Sequence, residues 1–204
     1  CLNALARHCG RAKIEIIMVN NGSDDETSGL LDSWAERDGR VTVIHNFDNL
    51  NFSLGNNVGF AASHGSRLVF LNNDTEVRAG WLDPLLAPLA DPEVMGTQPK
   101  LLYPDGRVQC VGVVVSGKTA LGYPIYVDEA ADAPLVAANR RYRAVTGACF
   151  AVRATDFAAV GGFDPIFING QGDIDLCYRL GHGRHVFEYT AVSTVTHHEG
   201  RTKG

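Results

Sequence analysis

Apolar and polar positions along this chain fall into blocks that switch between helical and strand spacing, and the order of those blocks predicts the architecture. Leu2, Leu5 and Ala6 form a helical stripe over residues 2–11, with Gly10 as its stop. Residues 14–19, apolar but for Glu15, read as a buried strand. The turn over 20–25 then supplies Asp and Thr oxygens to cap a helix predicted over 27–37. Residues 41–44 repeat the strand pattern, an Asn-rich loop covers 46–51, and a helix begins near Ser53. After a strand over 68–71, residues 80–90 predict a helix that buries Trp81, Leu82, Leu85, Leu86 and Leu89. Strands alternating with helices predict an α/β fold with a mostly parallel, doubly wound central sheet flanked by helices.

The pattern changes after Pro92. Residues 94–117 are rich in Val, Leu and Gly around a Pro104-Asp105-Gly106 turn and predict a hairpin or meander, a smaller antiparallel portion. Residues 123–139 read as a surface loop, and a strand over 142–152 is interrupted at Thr146-Gly147. A helix over 154–160, a tight turn at 161–165, a helix over 173–180 and strands over 185–189 and 192–196 complete the order. At 204 residues the chain suits one domain with a substantial core, made of two halves, 1–91 and 92–204.

Charge and cysteine content narrow the function. A formal net charge of -5 with no Lys/Arg stripe argues against nucleic-acid binding. Five cysteines without a C-x-x-C pair suggest neither a zinc knuckle nor a disulfide framework, and point to a reducing compartment. No apolar run approaches the roughly 20 residues of a membrane span, and no secretory leader pattern is present.

The candidate chemistry sits at predicted strand and helix ends. The apolar run 69–71 delivers Asn72, Asn73 and Asp74 to the rim of the sheet, where a hard oxygen ligand suits a metal and a diphosphate; the same residues also make an ordinary Asx turn. Asn20, Asn21 and Asp24 follow a buried strand and can reach a base or ribose, although Asp24 serves equally as a helix cap. Asn56 and Asn57 stand at a helix start, which attracts phosphate or simply needs capping. Asp173 and Asp175 flank Ile174, so helical geometry sets their carboxylates about 200 degrees apart, one facing a site and one supporting it. A carboxylate kept ionised by the helix dipole suits a general base acting on an alcohol; a capped helix burying Leu176 and Leu180 is the plainer alternative. Of His197 and His198, only one can face the same side as an Asp ligand, and a pair without a role is equally compatible. His45, His64, His182 and His185 read as surface or loop residues.

As an ordered set these pieces resemble the family-two glycosyltransferases of the GT-A (Rossmann-like) fold, especially the bacterial rhamnosyltransferase-like branch that builds surface polysaccharides. Val19-Asn20-Asn21-Gly22-Ser23-Asp24-Asp25 is similar to the family's first loop, Asn51-Phe52 through Asn56-Asn57-Val58-Gly59 to its Asn-x-Gly segments, and Leu71-Asn72-Asn73-Asp74-Thr75 to its variant Asp-x-Asp motif. Thr146-Gly147-Ala148-Cys149-Phe150, Gly161-Gly162-Phe163-Asp164, Gly172-Asp173-Ile174-Asp175-Leu176-Cys177 and Val195-Thr196-His197-His198-Glu199-Gly200 resemble the acceptor-side glycine segment, the Gly-Gly-Phe-Asp turn, the Glu-Asp-x-Asp-Leu motif and the closing histidine motif.

The resemblance implies that residues 1–91 bind the nucleotide sugar through Asn20, Asn21, Asp24, Asn57, Asn73 and Asp74, and that 92–204 carry the acceptor side, with Gly147 and Asp175 beside the base Asp173. It implies a divalent Mg or Mn ion on Asp74 and His197, a UDP- or dTDP-linked donor, a glycan or lipid-linked acceptor, and inverting transfer in the cytoplasm, at the inner face of the cell membrane where the acceptor is lipid-linked. Asn20 stands where the family has an acidic residue, and Gly172 where it has Glu. The family's opening strand would precede Cys1, so the resemblance implies an N-terminally truncated domain. A catalytically idle glycosyltransferase-like module that binds or scaffolds is the alternative. A nucleotidyltransferase would want a Gly-rich loop with a basic residue after its first strand, which residues 1–12 do not offer.

Overall fold

The computed structural model describes residues 1–9, 13–168 and 170–198; the expected helix stop at Gly10 and the Glu199-Gly200 end of the histidine motif lie outside them. The first half runs α1 (Leu2–His8), β1 (Ile16–Asn21), α2 (Thr27–Arg37), β2 (Val41–Asn46), α3 (Asn51–Ala61), β3 (Arg67–Leu71), β4 (Thr75–Val77) and α4 (Leu82–Leu86). There follow β5 (Gly96–Leu102), β6 (Val108–Cys110), β7 (Val113–Val115), β8 (Gly122–Pro124), β9 (Arg140–Tyr142), β10 (Cys149–Arg153), α5 (Ala154–Ala159), α6 (Gly172–Gly181) and β11 (Phe187–His197). The helix expected over 80–90 is split, α4 passing into a 3-10 turn at Ala87–Ala90 that contains Pro88. Trp81, Leu82, Leu85 and Leu89 are nonetheless buried as the stripe required.

β1 and β2 pair in parallel as a two-stranded sheet, while seven strands form the main sheet in the order β3-β10-β5-β11-β4, with β6 beside β5 and β9 beside β11. The expected α/β architecture is present, but the sheet is mixed rather than mostly parallel: among the described residues only β1–β2 and β5–β11 run parallel, and the other ladders are antiparallel. The β5–β6 reversal at Pro104-Asp105-Gly106 is the hairpin expected there. The unexpected antiparallel ladders are those of β10 with β3 and β5 and of β11 with β4 and β9, pairings between strands distant in sequence. The two strands expected at the C-terminal end are one, β11, with a register shift between Thr190 and Thr194 that turns Val192 out to solvent. Strands from both sides of residue 91 share this sheet.

α3 spans the interruption between β1 and β3. A Cβ at Gly59 would lie 3.2 Å from Val19, so its absence lets the helix sit close on β1. Phe60 meets Phe157 at 4.8 Å between ring centroids. Phe163 is buried edge-on against Phe52, Phe70 and Phe157, which fixes the Gly162-Phe163 turn ahead of α6. The segment over 123–139 is a surface loop as expected, with one anchor: Val136 is fully buried with Leu102, Val108 and Val111, and Tyr189 Oη donates to its carbonyl at 2.8 Å. Among the described residues, no helix is long and apolar enough to cross a membrane.

Candidate active site

Two strand ends bring Asp74 and His197 together. After β3 the chain turns at Asn72, whose carbonyl accepts from Thr75 Oγ1 at 2.7 Å, and β4 then pairs with β11 so that Thr75 lies opposite His197. The His198 N–H donates to the Asp74 carbonyl at 2.9 Å. His197 is buried, with Nε2 3.1 Å from Asp74 Oδ1 and Nδ1 2.7 Å from Gln109 Oε1. An amide oxygen can only accept, so Nδ1 carries the hydrogen and Nε2 of the neutral ring is a bare lone pair. Asp74 Oδ1 is itself buried without a hydrogen-bond partner. His198 turns elsewhere, 3.4 Å from Glu76, as strand alternation requires, and Asn73 is exposed on the turn.

Two lone pairs 3.1 Å apart in a buried setting fit a cation between them. Ligands at right angles on an octahedral ion, each about 2.1 Å from it, stand about 3 Å apart. A mixed carboxylate and imidazole pair suits Mn better than Mg. Among the described residues no group of three or more His, Cys, Asp or Glu could hold a metal.

Asp173 occupies the first turn of α6. Its Oδ2 accepts from the Gly147 N–H at 2.7 Å and its Oδ1 from Ile174 N–H at 2.9 Å. Gly147 cannot readily be larger, because a Cβ there would lie 3.0 Å from Phe52 and 3.2 Å from Asp173 Cβ. Burial holds the Asp173 carboxyl above the usual carboxylate range against the pull of these N–H donors. Desolvation outweighs the backbone N–H donors at the helix start, so the carboxylate, when ionised, is a stronger base than an exposed aspartate. Asp175 points away and accepts from Arg179 Nε at 2.8 Å, while Arg179 donates to the Val160 carbonyl and ties α6 to the end of α5. Asp173 and His197 line one cleft of about 300 Å3, together with Gln109, Thr146 and Gln171. Gln171 precedes the helix at φ 63 and accepts from the Gly122 N–H at 3.1 Å.

A second cleft opens at the ends of β1 and β2, lined by Asn20, Ser23, Asp24, Ser28, His45 and Phe47. The expected asparagines are largely occupied within the protein. Asn20 is buried; its Oδ1 accepts from Ser23 N–H, and its Nδ2 donates to Ser28 Oγ and stands 3.1 Å from His45 Nδ1. Asn21 makes four bonds, accepting from Asn46 and Leu50 and donating to Asn49 and Asn51, and so organises the loop after β2. Asn57 pairs by both its amide groups with the backbone of Phe163, a clamp on the turn before α6. Asp24 is exposed at the cleft rim, and Phe47 is 98% exposed beside it. Sequence reasoning passed over Gln109 and Phe47; His45 is exposed as expected and also bridges Asn20 and Asp32.

With this geometry established, the chain falls into a known class of proteins: the family described as Glycosyl transferase family 2 matches residues 1–107. The chain belongs to that family. It is 34% identical over 198 residues to the O-antigen biosynthesis protein RfbC of Myxococcus xanthus, covering 93% of this chain and 15% of that protein. It is 25% identical over 217 residues to the N-acetylglucosaminyl-diphospho-decaprenol L-rhamnosyltransferase of Mycobacterium tuberculosis, covering 94% and 68%. The chain thus spans only a minor part of the first of these relatives. GalNAc-T7, solved with UDP, GalNAc and Mn2+, superposes with a TM-score of 0.78 at 20% identity, covering 96% of this chain and 40% of that one. The mannosyltransferase PcManGT of Pyrobaculum calidifontis, solved with GDP-Man and Mn2+, gives 0.68 at 16%, covering 98% and 52%. The fold is GT-A.

Proposed function

We propose that this chain is an inverting glycosyltransferase domain that moves a sugar from a nucleoside-diphosphate donor to a hydroxyl of a glycan or lipid-linked acceptor. The observation that carries the reading is Asp173, a desolvated carboxylate fixed by two backbone N–H groups, on the same cleft as His197. Asp173 takes the proton of the acceptor hydroxyl as that oxygen bonds to the anomeric carbon and the bond to the donor phosphate breaks on the opposite face. Asp74 Oδ1 and His197 Nε2 would hold a Mn or Mg ion, which when bound supplies positive charge against the departing diphosphate. Asp24 and Phe47 line the cleft suited to the nucleoside, and Asn20, Asn21 and Asn57 act by shaping the loops around the donor rather than by touching it.

The names of the relatives, an O-antigen biosynthesis protein and a rhamnosyltransferase acting on a diphospho-decaprenol, support work in bacterial glycan synthesis on a lipid-linked acceptor. The Mn2+ in GalNAc-T7 and PcManGT supports the ion, and their UDP and GDP-Man support a nucleotide donor; for this chain we favour UDP or dTDP. Thermal unfolding against UDP, dTDP, GDP and CDP, each with and without Mn2+, tests the donor site. A Mn2+-dependent rise in midpoint with one nucleotide is expected; no rise with any of them, from a cooperatively unfolding chain, would overturn the reading in favour of an idle module.

A further inference from the structure

We propose that Gln109, on β6, is a positioning residue that locks His197 in the Nδ1–H tautomer and so keeps Nε2 bare toward Asp74; its role in cation binding rests on the metal reading above. Two contacts from different elements agree on the tautomer. Gln109 Oε1, which has no hydrogen to give, lies 2.7 Å from Nδ1. The Asn72 amide nitrogen, which can only donate, lies 3.5 Å from Nε2 on the other side of the ring. An Nε2–H tautomer would set hydrogen against hydrogen at Asn72 and lone pair against lone pair at Gln109.

The placement is built into the fold. β6 pairs with β5, which pairs in parallel with β11, so the short strand after the Pro104-Asp105-Gly106 turn carries Gln109 to the buried end of β11. Gln109 is 6% exposed and His197 8%, so water does not readily substitute for the amide oxygen. Without that acceptor only the 3.5 Å contact with Asn72 opposes the other tautomer, in which Nε2–H donates to Asp74 Oδ1, 3.1 Å away. The pair would then satisfy itself and offer a cation one ligand fewer. Partners of this kind, bonded to the remote nitrogen of a ligating histidine, fix its orientation and raise its basicity.

The test is 15N long-range NMR of the histidine rings in the metal-free 204-residue chain, at a pH where the imidazole is neutral, with His197 assigned by its loss in His197→Gln. Wild type is expected to show protonated Nδ1 and bare Nε2. Gln109→Leu should shift His197 toward the Nε2–H form and weaken Mn2+ binding roughly 10- to 100-fold by calorimetry. Gln109→Glu, which retains an acceptor oxygen, should hold the wild-type tautomer and an affinity within a few fold, a rescue that a purely packing role would not give. Gln109→Met, close in volume, provides the same readings should the Leu variant not fold. An Nε2–H tautomer in wild type, or Gln109→Leu with unchanged tautomer and unchanged Mn2+ affinity, would overturn the proposal. Wild type with the expected tautomer but no Mn2+ binding would remove the metal reading, and with it the purpose of the lock, while the tautomer set by Gln109 would stand.

Discussion

The asparagines around β1 and α3 and the Asp74–His197 pair at the ends of β3 and β11 were singled out on the same grounds, short polar groups where a parallel pair or a sheet meets a cleft, yet the fold treats them in opposite ways. Asn21 fills all its bonding capacity with Asn46, Leu50, Asn49 and Asn51, and Asn57 spends its amide on Phe163. Asp74 Oδ1 is buried 3.1 Å from His197 Nε2, a contact that is two facing lone pairs when the ring is neutral and an ion pair when it is protonated. An amide carries donor and acceptor and can be satisfied by loop backbone. A carboxylate only accepts, so beside another acceptor it stays unsatisfied until a cation arrives.

The largest effect expected is at Asp173. Asp173→Asn should lower transfer by roughly 10^2- to 10^4-fold while donor-nucleotide affinity stays within a few fold, since the base acts on the acceptor. Retained turnover in a radiolabelled-sugar assay would remove Asp173 from the role. Because its carboxyl is held above the usual range by burial and must be ionised to take a proton, the wild-type rate should fall as pH drops through that raised value. The acid limb of the rate profile therefore lies higher than an ordinary aspartate would set it.

Next in size is Asp74→Ala, which should remove the Mn2+-dependent part of the nucleotide-induced midpoint shift and leave the metal-free shift nearly unchanged. An equal loss with and without Mn2+ would mean that Asp74 supports the turn rather than an ion. A smaller pair of effects separates the asparagines from the cleft rim. Asn21→Ala should cost stability, about 1–3 kcal/mol for the stranded partners of its bonds, whereas Asp24→Ala should leave the midpoint in place and weaken nucleotide binding several-fold. If Asn21→Ala instead lost affinity without losing stability, the contrast drawn above would fail.

Much of this division was out of reach of the sequence. The apolar blocks predicted α2 over residues 27–37, and the structure has the helix at Thr27–Arg37; the motif order gave the family. Residue spacing separated Asp173 from Asp175 and His197 from His198, because helix and strand periods act over one or two residues. Gln109 was invisible, since its value comes from two successive strand pairings that bring residue 109 to residue 197, 88 positions away. The sheet direction was misread for a related reason. Alternating blocks predicted crossovers, but β10 inserts between β3 and β5, and β11 between β5 and β4, placements set by long-range pairing.

The smallest effect expected is in stability, again at Asp173, and its sign follows from burial. A carboxyl whose pKa is raised in the folded chain binds more protons folded than unfolded in the interval between its ordinary and its raised value. Stability therefore falls as pH rises through that interval, and the penalty of holding a desolvated charge is fully present above it. Asp173→Asn has no charge to desolvate, so the wild type should lose ground against the variant as pH rises through the interval, and the difference should be level on either side. Chemical unfolding of both proteins across that range measures it. A difference independent of pH would mean that the carboxyl is as well solvated folded as unfolded, which would weaken its claim to be an unusually strong base; the opposite slope would mean that the N–H groups of Gly147 and Ile174 outweigh burial, making it a pre-ionised but weaker base.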